Sequence, residues 1–227
     1  MIQVLAATDR TETAPAVDGV AAAVAQVLHS DIRRVRSEPG QSAKTVQLLQ
    51  RVLNEPETLL GVLAVNEPSP AACWRIIQES TKPLIIVPAA LRSVRPISRV
   101  LVPLDGTAES AGAVAETVDL FARAGVDLVI LHVFDETTVP RFWDQVAHAR
   151  RAWEAEFLAR YCRLPGIRLE LRQGVAGEHV VDVAATEQVD LITLGWSQRL
   201  GPGRACIVRK TVRDAVVPVM LVPVVAS

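Results

Sequence analysis

A stretch near the end of the chain, residues 191–224, has the pattern of a strand, a loop, a helix and a second strand. Its apolar run 191–194 stops at Gly195, as a buried strand does. Two glycines and a proline in residues 201–203 indicate a loop, because these residue types resist regular structure. Apolar residues at helical spacing and a β-branched run after Pro218 then predict a helix and a last strand.

A glycine-bearing loop between a strand and a helix can hold a phosphate. Glycine lets the backbone approach a ligand closely, and the first turn of the helix offers unpaired N–H groups and a partial positive charge. A strand–helix joint also uses glycine for its turn, so the composition of this loop, taken alone, favours a structural turn.

Composition excludes several classes of partner. The net charge of −1 and the pI of about 6.4 for 227 residues give no electrostatic reason to expect nucleic acid or an anionic membrane surface. The three cysteines are widely spaced and fit neither a disulfide framework nor a metal-binding motif. The longest apolar run, 215–226, contains two prolines and is shorter than the roughly 20 residues of a membrane span. We therefore expect a soluble, cytoplasmic protein without a metal centre.

The order of elements occurs twice, which indicates an internal duplication. Residues 2–11 are mirrored by residues 98–107, where a strand-like run is followed by an aspartate. Residues 83–88 are mirrored by residues 218–223, each an apolar run between two prolines. Strands that alternate with helices predict a parallel sheet with right-handed crossovers.

A linker with one proline and several arginines, residues 89–99, separates the two halves, so we expect domains at residues 1–90 and 97–227. The second half is longer because of residues 137–164. Apolar and aromatic side chains recur in this segment at near-helical spacing: Trp143, Val146, Trp153, Phe157 and Tyr161. We interpret them as one face of a long helix that packs on the sheet, rather than as an aromatic cage for a ligand.

These features together resemble the universal stress protein family. The family pattern is an Asp-Gly-Ser/Thr corner after the opening strand, a second strand that ends in His-Val, a Gly-Asp/Glu helix start, and then a strand, a glycine loop and a helix. The corresponding residues here are 100–107, 131–133, 177–179 and 190–222. The match covers nearly all of the second half, whereas the first half matches at its two ends and in element order. The chain is therefore similar to a tandem member of the family with a degenerate first repeat.

The resemblance implies an α/β fold with two tandem, doubly wound, Rossmann-like parallel sheets of five strands each. In such sheets a ligand binds beyond the carboxyl ends of the strands, where the strand order reverses. Family members that bind ATP hold the adenosine at the aspartate corner and at the valine after the histidine, and hold the phosphates at the glycine loop. The cofactor-binding residues implied on this basis are Pro103, Asp105, Gly106, Thr107, Val133, Gly195, Gly201, Gly203 and Cys206.

The phosphate side departs from the family pattern, which is G-x2-G-x9-G followed by Ser or Thr. Gln198 stands at the second glycine, and Ala205 and Cys206 stand at the last Gly-Ser pair of a shortened loop. A thiol is a weaker hydrogen-bond donor than a hydroxyl, and alanine restricts the backbone more than glycine does. In the first half Arg10 replaces the glycine beside Asp9. We predict at most weak ATP binding in the second half and none in the first.

We expect a non-enzymatic stress-response protein, with an ATP-binding stress sensor and a nucleotide-free scaffold as the alternatives. Phosphoryl chemistry at Asp105 is disfavoured, because only Gly106 and Thr107 follow it where a receiver domain groups acidic residues around Mg²⁺. The spacing of the Ser, His, Asp and Cys residues does not suggest a hydrolase. His132 is interpreted as a hydrogen-bonding residue at a strand end, and His179 as a helix-start residue.

The two terminal strands, 84–87 and 219–222, are bounded by prolines, and exposed edge strands tend to be paired or blocked. Because the last strand mediates dimerisation in the family, the resemblance implies that the two halves pair internally as a pseudo-dimer. The sequence does not decide whether whole chains also form a homodimer.

Cys206 has two interpretations. In the first, Cys206 begins the last helix, whose N-terminus would lower the pKa of the Cys206 thiol and make it reactive. In the second, Cys206 is a small buried apolar residue.

Overall fold

Strands and helices alternate along both halves of the chain. The computed structural model describes residues 2–8, 12–36, 42–65, 69–140, 147–162, 164, 166–198 and 204–224. The elements of the first half are β1 (Gln3–Thr8), α1 (Ala14–Val27), β2 (Asp31–Arg36), α2 (Ser42–Leu53), β3 (Thr58–Ala64), α3 (Pro70–Glu79) and β4 (Leu84–Val87). The elements of the second half are β5 (Arg99–Pro103), α4 (Ala108–Arg123), β6 (Asp127–Phe134), α5 (Ala147–Tyr161), β7 (Arg168–Gln173), α6 (Ala176–Thr186), β8 (Leu191–Trp196), α7 (Arg204–Asp214) and β9 (Val219–Pro223). This alternation confirms the α/β class.

Helices cover both faces of the sheet, which explains why its central strands are continuous apolar runs. Alternate residues of one strand belong to opposite core layers: Val100 and Val102 to one layer, Leu101 to the other. Helices α1, α4 and α5 contribute to the first layer, and α2, α3, α6 and α7 to the second. None of the helices in the described part of the chain has both the length and the apolar character that crossing a membrane requires.

The strands of the described residues form one continuous nine-stranded sheet in the order β2-β1-β3-β4-β9-β8-β5-β6-β7. Every pairing is parallel except the pairing between β4 and β9. In the second half the chain runs outward from β5 to β6 and β7, and then crosses to the other side of β5 for β8 and β9. The strand order therefore reverses between β5 and β8, at the switch point where doubly wound sheets bind ligands.

The first half has four strands among the described residues, one fewer than the resemblance implies. Strand β1 lies between β2 and β3, as β5 lies between β6 and β8, so the first half has no described counterpart of β7. Only residues 37–41 separate β2 from α2, whereas a parallel crossover takes a dozen or more residues. The connection is therefore too short to add a helix and an edge strand.

The antiparallel pairing of β4 with β9 joins the two halves edge to edge. Leu84 lies opposite Leu221, and Ile86 lies opposite Val219. All four side chains are buried. The internal pairing predicted for the two proline-bounded strands is confirmed.

Asp190, which precedes β8, holds the linker against the second half. Its Oδ2 atom accepts hydrogen bonds from Ser98 N at 2.9 Å, Ser98 Oγ at 2.7 Å and Arg99 N at 3.1 Å. The Nε atom of Arg95 lies 3.4 Å from the other carboxylate oxygen. Because the Asp190 side chain is only 6% exposed, these donors replace the water that a buried carboxylate loses.

Candidate ligand-binding site

A cavity of about 760 Å³ lies beyond the carboxyl ends of β5, β6 and β8, at the switch point of the second half. Its walls come from the corner between β5 and α4, the end of β6, one side of α5, and the beginnings of α6 and α7. The volume is in the range of small-molecule sites. The fold thus brings segments from most of the second half to one place.

The corner after β5 orients a carboxylate at the rim of the cavity. Asp105 Oδ1 accepts hydrogen bonds from Thr107 N at 3.1 Å and from Thr107 Oγ1 at 2.7 Å. The Thr107 hydroxyl oxygen in turn accepts a hydrogen bond from Ser110 N at 3.2 Å and caps the N-terminus of α4. Thr107 therefore positions Asp105 and α4, although its own side chain does not line the cavity.

Gly106 suits this corner for two reasons. Its φ is +78°, in the left-handed region that glycine adopts without strain. A Cβ atom here would lie 3.3 Å from Cε1 of His132 and 3.6 Å from Cε2 of Phe157. The glycine therefore lets the corner pack directly against these two rings.

His132 is buried near the end of β6, and its ring lines the cavity. Its Nδ1 atom lies 2.8 Å from the carbonyl oxygen of Leu104. A carbonyl oxygen only accepts, so Nδ1 carries the proton and Nε2 of the neutral ring is an acceptor. Burial lowers the pKa of His132, against the smaller opposing effects of that hydrogen bond and of the Asp105 charge. The ring is therefore neutral near pH 7.

Aromatic side chains of β6 and α5 form a contiguous surface, which we call the aromatic wall. Ring centroids lie 4.6 Å apart for His132 and Phe134, 4.9 Å for Phe134 and Trp153, 5.0 Å for Trp153 and Phe157, and 4.8 Å for Phe157 and Tyr161. These separations are typical of favourable aromatic pairs. Phe157 is buried, whereas Trp153 and Tyr161 are half-buried, and all five rings line the cavity. The predicted helix face thus packs on the sheet and also forms a wall of the cavity.

The beginning of α6 forms another wall, from Gly174 to Gly177. Gly174 has a φ of +133°, which suits glycine at the turn before the helix. Gly177 is buried, and a Cβ atom there would lie 3.1 Å from Cδ of Lys210 on α7. This glycine therefore allows α6 and α7 to pack closely beside the cavity.

The charged residues of the described lining are three carboxylates and one guanidinium: Asp105, Asp135, Glu156 and Arg160. All four are exposed, so they lie towards the rim. Hydrogen bonds from Thr137 and Thr138 lower the pKa of Asp135 to about 2, so this carboxyl group is ionised at neutral pH. The described part of the rim is therefore net negative.

Five of the site residues implied by the sequence line the cavity: Pro103, Asp105, Gly106, Val133 and Gly195. Cys206 lies on an exposed side of α7, while its neighbours Ile207 and Val208 line the cavity. The interpretation of Cys206 as a buried apolar residue is therefore wrong. Gly201 and Gly203 lie outside the described residues.

Sequence reasoning missed His132 and the aromatic wall as parts of the site. The signal was present, because residues 153, 157 and 161 are four apart on one helix face, and residues 132 and 134 share one face of a strand. The interpretation of His132 as a hydrogen-bonding residue at a strand end agrees with its bond to Leu104. Trp143 and Val146, predicted on the same helix face, lie outside the described residues.

The segment after β8 contacts the first half. Gln198 has a φ of +60°, a left-handed conformation that favours glycine, at the position where the family pattern has its second glycine. Its side-chain amide Nε2 donates a hydrogen bond to the backbone carbonyl oxygen of Ser80, at the end of α3. The rings of Trp196 and Trp74 lie 6.3 Å apart, centroid to centroid, beside this contact. The backbone of Gln198 thus adopts a conformation that suits glycine, while its side chain bonds to the first half of the chain.

A doubly wound α/β sheet with a cavity where its strand order reverses is typical of the Rossmann-like class of ligand-binding proteins. A sequence model of the universal stress protein family matches residues 96–223, which is more than half of the 227 residues. The chain therefore belongs to the universal stress protein family. A search of curated proteins returned no match.

Solved structures share the fold over almost the whole chain. A Pseudomonas aeruginosa structure described as a universal stress protein is 15% identical, has a TM-score of 0.65, and the match covers 97% of this chain and 92% of that one. A Pseudomonas aeruginosa protein of unknown function is 13% identical with a TM-score of 0.60, over 97% of this chain and 81% of that one. A universal stress protein from Archaeoglobus fulgidus is 15% identical with a TM-score of 0.56, over 97% and 96%. At these identities the likeness shows the shared fold, in the first half as well as the second.

Proposed function

We propose that the chain is a non-enzymatic stress-response protein whose second half binds an adenine nucleotide weakly. The observation that carries this proposal is the cavity at the switch point of the second half. The cavity is lined by the residues that the family resemblance assigns to the adenosine: Pro103, Asp105, Gly106 and Val133. Thr107 supports the same side by orienting the Asp105 carboxylate.

The phosphate side supports weak rather than tight binding. Phosphates supply most of the charge-assisted hydrogen bonds that such a ligand can make. Gln198 directs its amide to Ser80 of the first half, and Cys206 does not line the cavity. A nucleotide therefore gains little from the described part of this side.

The surroundings of Asp105 support the non-enzymatic assignment. Its Oδ1 atom accepts hydrogen bonds from Thr107 N and Thr107 Oγ1, which hold this oxygen within the corner. A phosphoryl-transfer site would hold Mg²⁺ beside the phosphates and the attacking group.

Titration calorimetry of the full chain with ATP and Mg²⁺ tests the proposal. We expect a dissociation constant on the order of 0.1 mM. Asp105→Ala should abolish binding, whereas Glu116→Ala, an exposed carboxylate of α4 outside the cavity, should leave it unchanged. A flat trace for the unmodified protein would contradict nucleotide binding and favour a scaffold. Much tighter binding, lost with Asp105→Ala, would instead favour an ATP-binding stress sensor.

We also propose domains at residues 1–90 and 97–227, a cytoplasmic location, and a homodimer of whole chains as a possible assembly. The linker held by Asp190 supports the domain boundary. The near-neutral net charge of −1 supports a protein without nucleic-acid or membrane partners. Size-exclusion chromatography with light scattering would establish the oligomeric state.

A further inference from the structure

We infer that His132 contacts the ligand, because its Nε2 atom accepts a hydrogen bond from an N–H group of a planar nitrogen heterocycle. The cavity therefore prefers a neutral base or nucleoside to a nucleoside triphosphate. This inference rests on the proposed function, since it concerns the same cavity, and it names the class of ligand and the residue that selects it.

The first argument is the unused acceptor of His132. The residue is 8% exposed, and its Nδ1–H group donates to the Leu104 carbonyl oxygen at 2.8 Å. No described residue donates a hydrogen bond to Nε2, and the ring lines the cavity. Because Nε2 of the neutral ring has no described protein donor, it is available to accept a hydrogen bond from a ligand in the cavity. An N–H donor of a ligand is the complementary group.

The second argument is that the position of the ring is set by its neighbours. Its centroid lies 4.6 Å from that of Phe134, 4.8 Å from that of Phe157 and 5.5 Å from that of Trp153. A Cβ atom at Gly106 would lie 3.3 Å from Cε1 of His132, so the corner after β5 closes off one edge of the ring. The acceptor is therefore held in place before any ligand binds, which lowers the entropy cost of binding.

The third argument is the chemistry of the surrounding surface. The half-buried rings of Trp153 and Tyr161 offer aromatic surface for a planar ligand. The described rim carries the carboxylates Asp105, Asp135 and Glu156 against the single guanidinium of Arg160. A triphosphate would bring several negative charges to a cavity whose described rim is net negative, whereas a nucleoside brings none. We therefore expect the cavity to bind a neutral heterocycle more tightly than a triphosphate.

The test is calorimetry of the full chain with adenine, adenosine and ATP as separate probes. We expect adenosine to bind at least tenfold more tightly than ATP. His132→Phe should weaken adenosine binding about tenfold through loss of the acceptor, and His132→Gln, which keeps an acceptor, should recover part of that loss. His148→Phe is the matched control, because His148 is exposed on α5 and does not line the cavity.

Two measurements on the unmodified protein keep the inference testable if the variants fold poorly. The ¹⁵N shifts of His132 should report a neutral ring protonated on Nδ1. Burial lowers the pKa of His132, so adenosine affinity should be constant above pH 6.5 and fall below it, as the pH drops through the lowered pKa and Nε2 becomes a donor. The other charged groups of the described cavity lining are Asp105, Asp135, Glu156 and Arg160. Hydrogen bonds from Thr137 and Thr138 hold the pKa of Asp135 at about 2, below this pH range.

The outcomes separate the inference from the proposed function. Binding of ATP with much weaker binding of adenosine, or normal adenosine binding by His132→Phe, would overturn the inference and leave the nucleotide site intact. An Nε2-protonated ring would overturn it as well. Failure of all three probes to bind would overturn the proposed function together with the inference.

Discussion

At the cavity corner, individual residues act through backbone conformation and close contact. Gly106 combines a φ of +78° with a position against the rings of His132 and Phe157. The corner also brings the Leu104 carbonyl oxygen within 2.8 Å of His132 Nδ1, which fixes the tautomer of the neutral ring. A single glycine thus influences both the shape of the corner and the position of the acceptor.

We expect Gly106→Ala to lower the free energy of unfolding by about 1–3 kcal/mol, because alanine is strained at positive φ and its Cβ would press on His132. Gly112→Ala on α4 is the matched control. Nothing lies within 4 Å of a Cβ atom there, so the substitution should stabilise the helix by about 0.5–1 kcal/mol. Urea denaturation followed by circular dichroism measures both values. Equal effects of the two substitutions would contradict the special role of Gly106.

At the scale of elements, the end of β8 and the residues that follow it border the cavity and also contact the first half. Gly195 lines the cavity, whereas three residues later Gln198 bonds to the end of α3. Trp196 and Trp74 pack beside this bond. This part of the chain therefore both lines the cavity and contacts the first half.

We expect Gln198→Ala to lower the free energy of unfolding by about 1 kcal/mol, since it removes the hydrogen bond to Ser80 and keeps a non-glycine residue at φ +60°. Gln198→Gly removes the same bond but relieves about 1–2 kcal/mol of backbone strain, so it should be close to neutral. Chemical denaturation of the two variants provides the comparison. Losses of the same size for both would show that the left-handed conformation costs little.

At the scale of the whole molecule, one sheet passes through both halves. The antiparallel pairing of β4 and β9 makes the central strands of the molecule out of the last strands of each half. Both core layers contain residues of both halves, so neither layer ends at the boundary between them. The buried carboxylate of Asp190 then holds the linker that passes from one half to the other.

We expect Asp190→Ala to lower the free energy of unfolding by about 2–3 kcal/mol, because it removes the three hydrogen bonds that Ser98 and Arg99 donate to a buried carboxylate. Asp127→Ala removes an exposed partner of the same Arg99, 2.6 Å from its Nε, and should cost at most about 1 kcal/mol. Thermal and urea unfolding of the full chain measure both. A loss for Asp190→Ala no larger than that for Asp127→Ala would contradict its role in holding the linker.

The sequence by itself determined the alternation of strands and helices and the family. These properties are encoded locally. Apolar runs such as β4 and β9, bounded by prolines, become buried strands because their composition suits a sheet covered on both faces. The Asp105-Gly106-Thr107 corner is a local motif of the same kind, in which a side chain bonds to the backbone two residues on. Local patterns of this kind survive in any tertiary arrangement that buries the apolar faces.

Only the tertiary structure decided which side chains complete the cavity and how the halves contact each other. The bond from His132 to Leu104 joins residues 28 apart in sequence, the bond from Ser98 to Asp190 spans 92, and the bond from Gln198 to Ser80 spans 118. Periodicity indicates which face of a helix or strand is buried, but not which distant residue will lie against it. That choice depends on the order of the strands and on the packing of the helices across the sheet, because only these bring distant polar atoms within hydrogen-bonding distance.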